Sequence, residues 1–299
     1  MNNDDFRKEL NDKVRLIDQV LDNYLSISEV IPEILSQAMR YSMFAGGKRL
    51  RPILLLASAE AVGGNTESLL PAAAAFEMVH TYSLIHDDLP AMDNDDFRRG
   101  QPTNHKVFGE AMAILAGDGL LTHAFGLITE CSDSGNVSPE MIITVIKELS
   151  LAAGPCGMLG GQIVDIHSEN RPIDKDILHY IHSHKTGALF KACIRAGAIM
   201  GGGSAAQLAA LTQYAENLGL AFQITDDVLD VEGDSGKMGK TAGSDARLKK
   251  STYPSIYGLE ESKKLAADAV DRAVAALNMF GKEADLLRRV AGYLLKREQ

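Results

Sequence analysis

The chain has 299 residues, 45% of them hydrophobic and 23% charged, enough apolar material for a large buried core and ordinary for a globular protein. Its formal net charge of −10 argues against a nucleic-acid binder, so an anionic ligand would have to be drawn in by a local group of Lys and Arg. Cys131, Cys156 and Cys193 are scattered, which disfavours a disulfide framework or a zinc site.

In chain order, the start Met-Asn-Asn-Asp-Asp-Phe-Arg-Lys is polar and shows no signal-peptide core. A reducing cytoplasm is the expected location. Apolar spacing predicts helices near 5–25, 28–44, 48–62, 67–89, 104–131, 139–166, 173–201, 205–231, 252–279 and 283–297. Leu287, Val290, Ala291, Leu294 and Leu295 show the stripe most plainly. Ser138-Pro139 supplies a cap and a first-turn proline for the helix that carries Ile142, Ile146, Leu149 and Ala153. Strict apolar/polar alternation is absent. The longest apolar runs are interrupted by Asp118, His123, Lys191 or Arg195, so no membrane span is expected. Two charged loops, 90–103 and 232–251, and the turn Gly201-Gly202-Gly203-Ser204 break the helical pattern. No Pro- or Ser-rich linker divides the chain, which predicts one all-α domain over 1–299.

Two aspartate clusters stand out: Asp87-Asp88-Leu-Pro-Ala-Met-Asp93 and Asp226-Asp227-Val-Leu-Asp230, each at the end of an apolar helix. Like charges on neighbouring turns repel, and a negative helix C-terminus opposes the helix dipole. Both clusters therefore call for a strong positive partner. Hard oxygen ligands suit Mg²⁺, which keeps waters and bridges protein carboxylates to a substrate's phosphates. Asp226 and Asp230 share a helix face, with Asp227 on a neighbouring one. Each cluster is followed by a basic loop, so two helices facing one cavity would bring six carboxylates and both loops to one mouth.

Gly46-Gly47-Lys48-Arg49-Leu50-Arg51-Pro52 joins glycines to cations in a plausible anion site. His80 lies two turns before Asp87 on the same face, about 10 Å along the axis. Arg98-Arg99 offer guanidinium forks at loop distance from the first cluster. Lys185-Thr186, Gln223 and Lys240 accompany the second half.

In their order along the chain, these landmarks, with Gly160-Gly161-Gln162-Ile163-Val164-Asp165, resemble the trans-isoprenyl diphosphate synthases over nearly the whole length. The resemblance implies an all-α single-domain helix bundle around a deep central cavity, working as a homodimer. It implies head-to-tail condensation of isopentenyl diphosphate with an allylic diphosphate, releasing inorganic diphosphate, with Mg²⁺ as cofactor and three ions present with substrate bound. By position it assigns Gly47, Lys48, Arg51, His80 and Arg99 to isopentenyl diphosphate. Arg98, Lys185, Thr186, Gln223, Lys240 and Lys250 go to the allylic side, with Lys185, Thr186, Gln223, Arg98 and Lys240 acting in catalysis. Asp87, Asp93 and Asp226 are the expected direct metal ligands, with Asp88, Asp227 and Asp230 ligating directly or through water. No general base stands out, and the family pattern makes the departing diphosphate the proton acceptor. Tyr82, about 7.5 Å before Asp87 along the helix, and the small Ser83 beside it occupy the chain-length position, where an aromatic goes with the farnesyl (C15) product. Geranylgeranyl diphosphate synthesis is the alternative. A terpene cyclase would not need the second diphosphate set Lys48, Arg51, His80 and Arg99, and a non-catalytic helical partner would merely bind cations.

Overall fold

The computed structural model describes residues 3–26, 30–169, 171–232 and 251–295. Among them regular structure is helical apart from one hairpin of two-residue strands, so the all-α expectation holds. The contacts divide the chain into two compact units: residues 1–56 with 66–142, and residues 57–65 with 143–299.

The first unit contains α1 (Asn3–Tyr24), α2 (Glu33–Met43), the start of α3 (Leu50–Ala61), α4 (Leu70–Asp87), α5 (Asn104–Phe108) and α6 (Glu110–Glu130). Pro71 sits in the first turn of α4, where its missing N–H costs nothing. Ala72 to Ala75, Phe76, Met78 and Val79 are buried in succession, so α4 is apolar nearly all round and forms the unit's central helix. It packs along α6, whose Ala113, Ala116, Gly117 and Leu120 turn inward, while α1 and α2 lie against it. One buried ion-pair network ties this layer together. The Arg49 guanidinium donates to Asp18 Oδ1 at 2.8 Å, Glu77 Oε1 at 3.0 Å and the Met43 carbonyl at 2.7 Å.

The second unit contains the end of α3, most of α7 (Pro139–Ala153), α8 (Met158–Ser168), α9 (Lys175–Ile181), a π-helical turn (His182–Gly187), α10 (Ala188–Met200), α11 (Ala205–Glu232), α12 (Tyr253–Tyr257), α13 (Leu259–Ala276) and α14 (Asp285–Leu294). The 28-residue α11 is the axis of this unit and packs against α10, α13 and the π turn. Leu178, Ile224, Val228, Tyr253 and Ala266 form a core cluster that binds α9, α11, α12 and α13 together. The buried Tyr214 hydroxyl of α11 donates to the Leu287 carbonyl of α14 at 2.8 Å.

The predicted helices are present, but several are interrupted. Gly109 and Gly258, both at positive φ, end α5 and α12 and begin α6 and α13. Gly154-Pro155-Cys156-Gly157 separates α7 from α8, and the π turn lies inside the predicted 173–201 helix. The first charged loop contains the hairpin, with Phe97 opposite Pro102 and Arg98 opposite Gln101. The second, residues 233–250 in all but its ends, lies outside the described residues.

Two apolar stretches bear on the expectation of no membrane span, and core helices of globular proteins pass the same test of length and composition. The stretches Glu110–Asp133 and Pro139–Ser168 are long and apolar enough to qualify by length and composition. Asp118 and His123 do not lower the first below that threshold, and its inner face is core packing against α4.

Arg49 and Glu77 are both 2% exposed. Removing one partner of such a pair strands the other, so Arg49→Ala should cost about 3–5 kcal/mol. The exposed Arg40–Asp22 pair should be worth under about 1 kcal/mol. Urea unfolding of Arg49→Ala and Arg40→Ala measures both; equal losses would contradict the buried network's structural role.

Candidate active site

Within the first unit, the α2–α3 turn is held from below by Arg49. Gly46, Gly47 and Arg49 all take positive φ, and Lys48 projects into solvent. The hairpin presents Arg99, also at positive φ, so that its guanidinium donates to the Gly46 carbonyl. Gly47 has φ +136°, a conformation that L side chains rarely adopt, and a Cβ there would also stand 2.8 Å from Arg99 Nη1 and push the guanidinium aside. Non-glycine residues in this backbone region store strain and concentrate at functional sites. Among the described residues they are Arg49, Asn94 and Arg99.

His80 lies beside this turn. Burial and then the charges of Arg51, Arg99, Arg98 and Arg49 hold its pKa well below the ordinary 6.5. Arg99 is itself pulled down, by burial first and by Arg49, Arg98 and Arg51 in addition, against the opposing pull of Glu77. The structure therefore brings Gly47, Arg51, His80, Arg98 and Arg99 into one electropositive patch on an acidic chain. Such a patch is suited to a multiply charged anion.

The first aspartate cluster sits where α4 ends. Asp87 is the helix's last residue, and the following turn folds back until the Asp93 N–H donates to the Asp87 carbonyl at 2.9 Å. Both residues remain half-exposed. Asp88 is different: it is 3% exposed, and Arg98 grips it by Nε at 2.8 and 2.7 Å and by Nη2 at 2.5 Å. Arg98 thus faces the carboxylate cluster. Tyr82, five residues before Asp87, is 5% exposed, and burial with the nearby Asp87 raises its hydroxyl to about 12. Ser83 beside it donates to the His80 carbonyl at 2.8 Å.

The second unit holds the other half of the candidate residues. A Cβ on Gly161 would come within 2.2 Å of the Lys185 backbone nitrogen, so this glycine lets α8 touch the π turn. Asp165, one turn further along α8, accepts from Lys185 Nζ at 2.6 Å. The π turn is a frequent feature of functional sites and here carries Lys185 and Thr186. Thr186 Oγ1 donates to Gln223 Oε1 at 2.9 Å, and Gln223 Nε2 donates to Asp227 Oδ1 at 3.1 Å. The Tyr253 N–H, set in place by the Thr252/Ser255 capping box, donates to Asp227 Oδ2 at 2.9 Å. The His182 ring lies 5.3 Å from the Tyr253 ring, tilted by 33°, with Nε2 3.8 Å from Asp227, and burial pushes its pKa down to about 3. Asp227 is 3% exposed, whereas Asp226 and Asp230 are half-buried.

Each cluster therefore contains one buried carboxylate held by the protein, Asp88 or Asp227, beside others directed to the surface. Among the described residues no three His, Cys, Asp or Glu side chains gather tightly enough to hold a metal unaided. An oxygen-only donor set of one or two carboxylates at a time is what Mg²⁺ accepts when phosphates and waters complete its shell. The residues present fit that ion and not zinc.

Arg49, Glu77, Asp165, His182 and Tyr253 are supporting residues that the sequence reading did not place. Asp165 had a signal in the Gly160-Gly161-Gln162 motif; Tyr253 had none, since a backbone N–H is what it contributes. Lys240 and Lys250 lie outside the described residues.

The described residues thus combine a helical fold with two acidic clusters, a cationic patch and a π turn bearing Lys-Thr. A model of the polyprenyl synthetase family matches residues 32–287, and the chain belongs to that family. It is 50% identical over 264 residues to a farnesyl diphosphate synthase of Geobacillus stearothermophilus, covering 88% of each chain. It is also 46% identical over 273 residues to a geranylgeranyl diphosphate synthase of Cyanophora paradoxa, covering 91% of this chain and 90% of the relative. Among solved structures, an FPP/GFPP synthase of Zymomonas mobilis superposes with a TM-score of 0.87 at 38% identity, covering 97% of this chain and 99% of that one.

The direction of the His80 shift makes stability depend on pH. Below about pH 6.5 the unfolded chain binds a proton that folded His80 refuses, so stability falls as pH drops from 7 to 5. His80→Gln should flatten that fall, as measured by urea midpoints at the two pH values. An undiminished slope would show that His80 is not held neutral.

Proposed function

We propose that the chain is a prenyltransferase that condenses isopentenyl diphosphate with dimethylallyl and then geranyl diphosphate, giving farnesyl diphosphate and inorganic diphosphate. The observation that carries this reading is the crowding of Arg51, Arg98 and Arg99 around His80, beside an acidic cluster that suits a second, metal-bound diphosphate. Two diphosphate sites of opposite character fit two diphosphate substrates. A terpene cyclase needs one.

Gly47, Lys48, Arg51, His80 and Arg99 take up isopentenyl diphosphate, the guanidinium forks reaching its oxygens. Asp87 and Asp93 in the first unit, and Asp226 and Asp230 in the second, would hold Mg²⁺, while Asp88 and Asp227 brace their own clusters from behind. Bound there, Mg²⁺ supplies Lewis-acid neutralisation of the allylic diphosphate. We assign residues 1–299 to one polyprenyl synthetase domain, a reading that the family match over 32–287 supports. Lys185, Lys240 and Lys250 add charge to the allylic diphosphate, and Arg98 orders the first cluster for it. As the allylic C–O bond breaks, Thr186, Gln223 and the Lys185 carbonyl face the developing cation with oxygen dipoles. The isopentenyl double bond attacks, and the departing diphosphate accepts the proton. Tyr82, with Ser83, limits the product to C15. Geranylgeranyl diphosphate synthesis is the second reading, because relatives of that activity match nearly as well.

The protein works in the cytoplasm as a homodimer. Ile114 and Leu115 on the outer side of α6 are 43% and 50% exposed, and a second copy would cover them.

Incubation with isopentenyl and dimethylallyl diphosphates plus Mg²⁺ should yield chiefly C15 alcohol after dephosphorylation. A C20 majority would favour the second reading, and no diphosphate release from folded protein would reject the first. Asp87→Ala and Asp226→Ala should each lower turnover roughly 10²- to 10³-fold without unfolding the chain, reflecting lost metal-assisted charge stabilisation. Tyr82→Ala should lengthen the product, and an unchanged C15 ceiling would remove it as the floor.

A further inference from the structure

His86, directly before the first aspartate cluster, has no role so far. It occupies an unusual place. Its Nε2 lies 3.0 Å from the Ile114 carbonyl of α6, and because that oxygen can only accept, Nε2 carries the hydrogen. One turn along α6, Asp118 Oδ1 stands 3.9 Å from the same nitrogen. A Cβ on Gly117 would be 2.2 Å from His86 Nε2 and 2.5 Å from Cδ2, so the absence of a side chain at 117 is what admits the imidazole between α4 and α6. On its other side the ring meets Tyr82 edge-on, with centroids 5.5 Å apart and planes at 87°. Tyr82 and His86 are four residues apart on α4 and so share a face.

We infer that His86 is a positioning residue for product length: wedged against α6 by Gly117 and the Ile114 carbonyl, it holds the Tyr82 ring in the orientation that stops the growing chain. This rests on the reading of Tyr82 as the floor and extends it to the groups that keep the floor rigid. Tyr82 is a large side chain with two free torsions and a hydroxyl. An edge-on ring anchored to a neighbouring helix restricts the first torsion, where packing by aliphatic groups alone would leave the ring free to tilt. His86 touches no substrate in this account and acts through Tyr82.

The test is product distribution in His86→Ala, His86→Phe, Gly117→Ala and the double variant Tyr82→Ala with His86→Ala. His86→Ala should raise the C20:C15 ratio roughly 3- to 10-fold, the scale of one lost edge-to-face aromatic contact. KM for isopentenyl diphosphate should stay unchanged, a split that general loosening of the site would not give. His86→Phe, which restores an aromatic edge, should recover most of the C15 bias. Gly117→Ala should shift the ratio in the same direction as His86→Ala by displacing the ring, and it carries the test should His86→Ala fold poorly. The double variant should make no more C20 than Tyr82→Ala alone. If Tyr82→Ala lengthens the product while His86→Ala and Gly117→Ala keep the parental ratio, the His86 assignment is wrong and the floor reading stands. An additive effect in the double variant also overturns it, since His86 would then act independently. If Tyr82→Ala itself changes nothing, the floor reading fails and the assignment fails with it.

Discussion

A carboxylate taken out of water must be met by donors, and this requirement organises both acidic clusters. Asp88 and Asp227 are almost fully buried, and each is met in full: one by the Arg98 fork, the other by the Gln223 amide and the Tyr253 N–H. Because those two are fixed, their neighbours Asp87, Asp93, Asp226 and Asp230 are held at the surface close to like charge. The same logic extends outward. Gln223 is held by Thr186, and Lys185 by Asp165, so the groups proposed to face the reacting carbon are ordered by the chain that supports Asp227.

The cationic patch is the complementary case. Arg49 and Arg98 have carboxylate partners, while the guanidinium of Arg99 is directed at a neutral carbonyl. Its lowered pKa and that of His80 have a common origin in positive charge concentrated away from water. On a chain with net charge −10 this is a local arrangement, in which Arg49 and Arg99 sit at positive φ. The backbone strain and the charge crowding occur together, as expected where binding of an anion offsets both.

Much of this was legible in the sequence. The helical period located the elements, and the aspartate spacing located the clusters, because both are local properties of short windows. The breaks at Gly109, Gly154–Gly157 and Gly258 were not seen. A single glycine inside an apolar run is ambiguous until neighbouring helices decide whether the chain must turn. The π turn was hidden for a similar reason: it depends on α8 pressing against Lys185 through Gly161. The hairpin around Arg98 and Arg99 lies in a segment too short and charged to show alternation. The division of labour within each cluster was also invisible, since Asp87 and Asp88 differ only in which partners the fold brings to them. Residue type alone does not separate one carboxylate from its neighbour; tertiary contacts do.

The proposed function rests most directly on the first cluster binding a metal-bound diphosphate. Calorimetric titration with inorganic diphosphate, with and without Mg²⁺, on the parent protein and on Asp87→Ala tests it. Binding that needs Mg²⁺ and is lost in folded Asp87→Ala is the predicted result. Binding that is unchanged without Mg²⁺, or retained in Asp87→Ala, would contradict it.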